Sequence, residues 1–303
     1  MRLFGWFRRP LQDGAGEVQP PRRWAWLAGR RILTNSPYIL PKDKLEGDRL
    51  DLQHHLLKLA ANSNYRAPIR EPRAILDVAC GTGIWGREMA QEFPHAQVIG
   101  FDIDRTPLER SLERLGPGGQ FPANFQFLTA DAFKPFPFED EMFDFTHARL
   151  ISPFLPAANW PHVVSEMVRV LRRGGYIELV DCEPWTTRSP AARTLLAAVI
   201  RLMDGRGLHA GGAAPYLADY LRQAGIQRVQ ERRFVLGTGP QHVRQQRLMV
   251  ADVLSAFTNM QPIVVKAGIM SDSDYSTMLA AMREELGKTG LHWPFVFAFG
   301  IKL

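Results

Sequence analysis

Residues 75–86, ILDVACGTGIWG, constrain this chain more than any other segment. An apolar run ends in a turn carrying Gly81 and Gly83, and Ile84, Met89 and Phe93 follow at helical spacing. A strand that turns at once into a helix opens a βαβ unit, because only a long crossover can return the chain to a parallel neighbour. The next hundred residues repeat the pattern. Apolar runs at 97–102, 124–131, 143–150 and 176–181 join the first at 73–79, and helical patterns at 84–93, 107–115 and 160–172 lie among them. Such alternation makes a mainly parallel sheet with right-handed crossovers, and places ligands beyond the carboxyl ends of the strands. After 181 the order changes. Residues 189–224 read as helices, 228–236 and 293–301 as strands, and the 56 residues between those strands carry helical patterns near 241–258 and 272–287. That connection is too long for a hairpin loop and is expected to form a lid or substrate subdomain. Upstream, residues 48–60 are amphipathic, with Leu52, Leu56 and Leu59 on one side.

The glycine turn has two readings. Gly81, Gly83 and Gly86 spell G-x-G-x-x-G, and Asp102 stands 21 residues after Gly81 at the end of the second strand. That spacing fits a dinucleotide site, in which a pyrophosphate approaches the helix N-terminus and an acid takes a ribose hydroxyl. Asp77 argues against it, since a carboxylate at the strand's end repels a pyrophosphate but accepts hydrogen bonds from an ammonium.

Asp77-Val-Ala79-Cys-Gly81-Thr-Gly83 resembles the acidic-x-Gly-x-Gly-x-Gly loop of class I S-adenosylmethionine-dependent methyltransferases, with Ala79 in place of the first glycine. The cofactor of that family has an ammonium and a sulfonium and no phosphate. The resemblance extends to VIGFDID, where Asp102 matches the acid that takes the ribose hydroxyls and Ile103 the residue packed on the adenine. In LTADAF it makes Asp131 and Ala132 the readers of the adenine edge, and FDFTHARL corresponds to the fourth strand, near whose end Arg149 is a candidate ligand of the cofactor carboxylate or of an anionic substrate. YILPKDKLEGDRLDLQHHLLKLA resembles the segment before the core in fungal secondary-metabolism methyltransferases and their bacterial relatives. The resemblance implies an α/β, Rossmann-like, seven-stranded, mostly parallel sheet with helices on both faces, an N-terminal helical cap and a helical insertion before the last strand. It also implies S-adenosyl-L-methionine as cofactor, S-adenosyl-L-homocysteine as product, no metal, and oxygen as the accepting atom in preference to nitrogen or carbon; it implies the reaction and not the acceptor, which is expected to be small, largely apolar and natural-product-like. An NAD(P)-dependent oxidoreductase and a cofactor-binding regulatory protein acting through protein partners are the alternatives.

His147 is the candidate base, since an imidazole titrates near neutrality. Tyr38, His54 and His209 are candidate substrate contacts, and adjacent His54 and His55 diverge too far on a helix to make a good metal pair. Met203, Phe257, Met260, Trp293 and Phe295 are candidate lining for an apolar pocket.

Net charge is +6, but residues 1–35 alone carry seven arginines against two acids, so the remainder is nearly neutral. Nucleic acid is therefore not the expected partner. The chain divides into a basic, flexible extension (1–35) suited to peripheral membrane contact, a helical cap (36–66), and a methyltransferase domain (67–303) with insertions near 182–224 and 237–292. Two cysteines give no disulfide framework, which fits a reducing, cytoplasmic setting. No apolar run is expected to cross a bilayer.

Overall fold

The computed structural model describes residues 24–27, 30–33, 44–116, 119–237 and 242–303. A seven-stranded sheet is built from β3 (Ala74–Val78), β4 (Gln97–Asp102), β5 (Phe125–Thr129), β6 (Phe143–Arg149), β7 (Leu171–Cys182), β8 (Gln227–Leu236) and β9 (Trp293–Ile301). Its order is β5-β4-β3-β6-β7-β9-β8. The first five strands pair in parallel, and β9 lies antiparallel between β7 and β8. β3 and β4 therefore lie side by side, with their carboxyl ends open to one cleft.

Both faces are covered, as alternation along buried strands demands. Leu76, Val78, Ile99 and Leu179 pack against Trp160, Val163 and Met167 of α4 (Trp160–Val170) and Leu217 and Leu221 of α6 (Leu217–Gln223). On the other face, Ile75, Val98 and Phe145 meet Trp85 and Met89 of α2 (Ile84–Glu92) and Leu108 of α3 (Thr106–Glu113). A third cluster joins α1 (Lys44–Ala61) to α5 (Pro190–Asp204), α7 (His242–Lys266) and α8 (Asp272–Thr289), so the insertion before the last strand and the helix before the first strand of this sheet share one core.

Two expectations change here. Within the extension read as flexible over 1–35, β1 (Trp24–Leu27) and β2 (Arg30–Leu33) pair as an antiparallel hairpin. The period-two placing of Trp24 and Trp26 favours strand; the rest of 1–35 lies outside the described residues. The expectation that no apolar run reaches bilayer length is also corrected. Val243–Lys266 of α7 is long and apolar enough by length and composition, yet more than half of the span is buried inside the fold. The helix interior holds Asp252 in an ion pair with Arg49.

Candidate active site

The cofactor cleft is assembled from backbone first. β3 ends at Val78, and the next residue turns left-handed: Ala79 has φ +55°, followed by Gly81 at +56° and Gly83 at +70°. The turn is fixed by Cys80 N–H donating to the Phe101 carbonyl at 2.9 Å and Gly83 N–H to that of Cys80 at 2.9 Å. A left-handed alanine costs about 1–2 kcal/mol relative to an ordinary conformation. Ala79→Gly is therefore expected to raise stability by about 0.5–1 kcal/mol, after the greater freedom of glycine in the unfolded chain is offset; urea unfolding checks it.

α1 lies over this turn. Asp51 Oδ1 accepts from Thr82 Oγ1 at 2.6 Å, and Arg114 bridges back to Asp48 and to Asp51, the latter at 2.7 Å. Asp102, at the end of β4, accepts from Gly81 N–H through Oδ2 and from Asp104 N–H through Oδ1, each at 3.0 Å. Asp131, just past β5, accepts from Phe133 N–H at 2.9 Å, and Ile103 and Ala132 are half-buried beside these acids. Asp77, Asp102 and Asp131 thus line three adjacent strand ends. This set of acceptors suits a ligand bearing an ammonium, ribose hydroxyls and an adenine amine, and disfavours a pyrophosphate.

Arg149 closes β6. Its Nη2 donates to His54 Nδ1 at 3.1 Å, and His54 Nε2 faces Glu88 Oε2 at 3.2 Å. A guanidinium only donates, so Nδ1 is the acceptor and the imidazole proton sits on Nε2, toward Glu88. Burial lowers the pKa of His54 to about 4 against the opposing pull of Glu88, so the ring is neutral. Burial also acts on Glu88, but hydrogen bonds from His54 and Lys58 win and hold its carboxyl below the usual range. His54, His55 and Glu88 bring ligand atoms within 4.8 Å of one another. A cation there would need the Nε2 lone pair that the proton occupies, and would displace Lys58 Nζ from Glu88, 2.5 Å away.

Beside the cleft, toward β7, opens a cavity of about 870 Å³ including its mouth. Leu150, Trp185, Val199, Met203, Phe257 and Met260 dominate its wall, and Trp293 closes one side. Arg49 and Gln53 from α1, Ser152 after β6, and Cys182 and Glu183 at the end of β7 supply most of its polar edge. Its floor is pinned by Asp181, which accepts from Ser152 Oγ and Cys182 N–H at 2.8 Å and from Ala213 N–H at 3.2 Å.

The histidines part company with expectation. His147 is wholly buried, its ring stacked on Trp85 at 3.8 Å and its Nδ1 3.3 Å from Asp77 Oδ1. It is absent from the cavity lining, and alternation along β6 turns it toward Trp85 of α2, so the structure does not place it at the acceptor cavity as a base. His54 is likewise drawn to Arg149 and Glu88, leaving Gln53 as its neighbour in the cavity wall. His209 bonds Tyr220 Oη at 2.8 Å and stacks on Tyr216, outside the cavity. Phe295 is core, whereas Met203, Phe257, Met260 and Trp293 do line the cavity. Tyr38 lies outside the described residues. Arg49 and Glu183 escaped sequence reasoning, since only tertiary packing brings α1 and the end of β7 to one wall.

Comparison with known proteins agrees with this geometry. A family model for a methyltransferase domain matches residues 75–175, the span from β3 into β7. Methyltransferase str2 of Strobilurus tenacellus is 28% identical over 176 residues, covering 56% of this chain and 59% of its own. Methyltransferase pytC of Aspergillus terreus is 26% identical over 295 residues, covering 91% of this chain and 86% of its own. Among solved structures, phosphoethanolamine N-methyltransferase 2 of Haemonchus contortus with S-adenosyl-L-methionine aligns at a TM-score of 0.48 and 18% identity, over 84% of this chain and 52% of that one. Residues 75–175 thus form a methyltransferase domain.

Proposed function

We propose that this protein transfers a methyl group from S-adenosyl-L-methionine to a small, largely apolar acceptor, with a hydroxyl oxygen the favoured accepting atom. The observation that carries this reading is the apolar cavity adjoining the acid-lined cleft. Two fungal methyltransferases among its relatives support the reaction class. The cofactor, when bound, supplies an electrophilic methyl group for in-line displacement. Asp77 would hold its ammonium, Asp102 its ribose diol, Asp131 its adenine and Arg149 its carboxylate. The cavity's part is to orient the acceptor and exclude water, which alone accounts for several kcal/mol of barrier. Glu183 is the one carboxylate among the described cavity residues. Its Oε2 accepts from Arg233 Nη2 at 2.5 Å, and it is the group placed to take a proton from an acidic hydroxyl.

Calorimetric titration with S-adenosylmethionine, S-adenosylhomocysteine, NADH and NADPH tests the reading. Both sulfur nucleosides are expected to bind, and Asp102→Ala to weaken them by about 100-fold, the size of two hydrogen bonds to a carboxylate. Binding of a nicotinamide nucleotide in their place overturns it.

A further inference from the structure

Asp77, His147 and Glu178 stand directly opposite one another on three adjacent strands, Asp77 paired with His147 across β3 and β6, and His147 with Glu178 across β6 and β7. All three side chains are buried, His147 and Glu178 completely. His147 Nδ1 lies 3.3 Å from Asp77 Oδ1, and on its other side Nε2 lies 3.9 Å from Glu178 Oε1. Glu178 Oε2 is fully engaged, accepting from the backbone N–H groups of Arg66 at 2.6 Å and Ala67 at 2.7 Å. The two facing atoms, His147 Nε2 and Glu178 Oε1, are each buried without a hydrogen-bond partner. Two orphaned acceptors facing each other in a core are costly, and a proton between them removes both deficits.

We infer that Glu178 is a buried carboxylic acid whose Oε1–H, once a side-chain adjustment of about 1 Å closes the 3.9 Å gap, donates to His147 Nε2, so that His147 Nδ1–H is held on Asp77 and fixes the orientation of the Asp77 carboxylate toward the cofactor's ammonium. Glu178 and His147 are then positioning residues, acting through Asp77 and touching no reactant. The tautomer follows from the chain itself: an ionised Asp77 only accepts, so Nδ1 must carry the hydrogen and Nε2 must accept. The stacked Trp85 ring, anchored by its own Nε1–H to the Asn64 carbonyl at 2.8 Å, prevents the imidazole from turning away.

The electrostatic surroundings are consistent. Burial raises the pKa of Glu178 to about 7 against the two backbone donors and the Arg66 and Arg149 charges, and burial lowers that of His147. The titratable or charged groups around Glu178 are Tyr65 and Arg66 from the loop before β3 and His147 and Arg149 from β6, with Asp77 of β3 beyond His147. β9 presents only Phe299 opposite it. As pH rises and Glu178 ionises, its charge faces the His147 lone pair. The imidazole, held in place by Trp85, then shifts its hydrogen from Nδ1 to Nε2, toward Glu178, and leaves Asp77 without a donor.

The inference rests on the proposed role of Asp77, and the test separates the two. Infrared spectroscopy of the cofactor-free protein near neutral pH is expected to show a protonated carboxylic acid that disappears in Glu178→Gln. In that variant the amide oxygen keeps the two backbone donors and the amide NH2 donates to His147. Glu178→Gln is therefore expected to bind S-adenosylmethionine within about twofold of the wild type at about pH 6. The wild type should lose about tenfold more affinity than the variant on going to about pH 8.5, roughly one hydrogen bond to a charged group; the ligand's own amine titrates alike in both. Absence of the acid band, a doubly protonated His147 by nitrogen NMR, or an unchanged pH profile in Glu178→Gln overturns the inference. If the acid band is present but Asp77→Asn binds cofactor as well as the wild type, the role given to Asp77 fails instead.

Discussion

Replacing Arg49 with methionine is expected to destabilise the protein by about 3–5 kcal/mol, because it strands two carboxylates in a core. Arg49 Nε and Nη2 grip Glu46 at 3.0 and 2.6 Å, and Nη1 donates to Asp252 Oδ1 at 3.0 Å. Asn259 Nδ2 adds a bond to Glu46 Oε2 at 3.0 Å. Glu46 is 3% exposed and Asp252 not at all. These bonds tie α1 to α7, and hence the lid of the cofactor turn to the wall of the acceptor cavity. Methionine fills the volume but leaves like charges adjacent in low dielectric. Burial, opposed by Arg49, already raises the pKa of Asp252 to about 6 from 3.8. A carboxyl with a raised native pKa binds more protons folded than unfolded, so its contribution to stability falls as pH rises from its unfolded value through its native one. Removing Arg49 raises the native value further, so the deficit of Arg49→Met should be larger at about pH 8 than at about pH 5. Urea unfolding at both values measures this, and the triple variant Glu46→Gln, Arg49→Met, Asp252→Asn should recover most of the loss. A loss below about 1 kcal/mol at the higher pH would mean that water reaches the carboxylates and that the network is not a core element.

What the sequence revealed and what it hid divide along the range of the interactions. The strand–turn–helix at 75–86 was legible because a left-handed turn, a strand's alternation and a helix's period are properties of neighbours. The same holds for Asp102, whose distance from Gly81 reflects one crossover. The insertion was visible as two helical periods, and two of the candidate lining residues it carries, Phe257 and Met260, do line the cavity, with Met203 of α5 and Trp293 of β9. Position of β9 between β7 and β8 was not visible, since nothing local specifies strand order. His147 shows the limit most clearly. As a residue near a strand's end it looked like a base, but the register of three strands places it between two carboxylates and beneath Trp85. Arg49 and Asp252 are 203 residues apart, and no spacing rule joins them.

The largest effect expected at a single uncharged position is that of Gly212→Ala. Gly212 has φ +125°, a region open in practice only to glycine. A Cβ there would overlap the carbonyl oxygen of Cys182, and would lie 2.9 Å from its carbonyl carbon and 3.0 Å from its Sγ. Those atoms are the end of β7, so backbone must move. The segment with most freedom is 211–213, and its displacement breaks the Ala213 N–H bond to Asp181. Asp181 holds three edges of the cavity together, through Ser152, Cys182 and Ala213, and is itself buried. Backbone strain plus one unsatisfied donor beside a buried carboxylate predicts a loss of about 3–5 kcal/mol. The acid-lined cleft is held by other residues, Asp77 bonding His147, Asp102 the backbone of Gly81 and Asp104, and Asp131 that of Phe133. At temperatures where the variant is still folded, S-adenosylhomocysteine should bind within about twofold of the wild type while methyl transfer to any acceptor falls by at least about tenfold. Urea unfolding, titration and single-turnover transfer read the three quantities separately. Equal loss of nucleoside affinity and transfer would show that the cleft and the cavity behave as one unit rather than two.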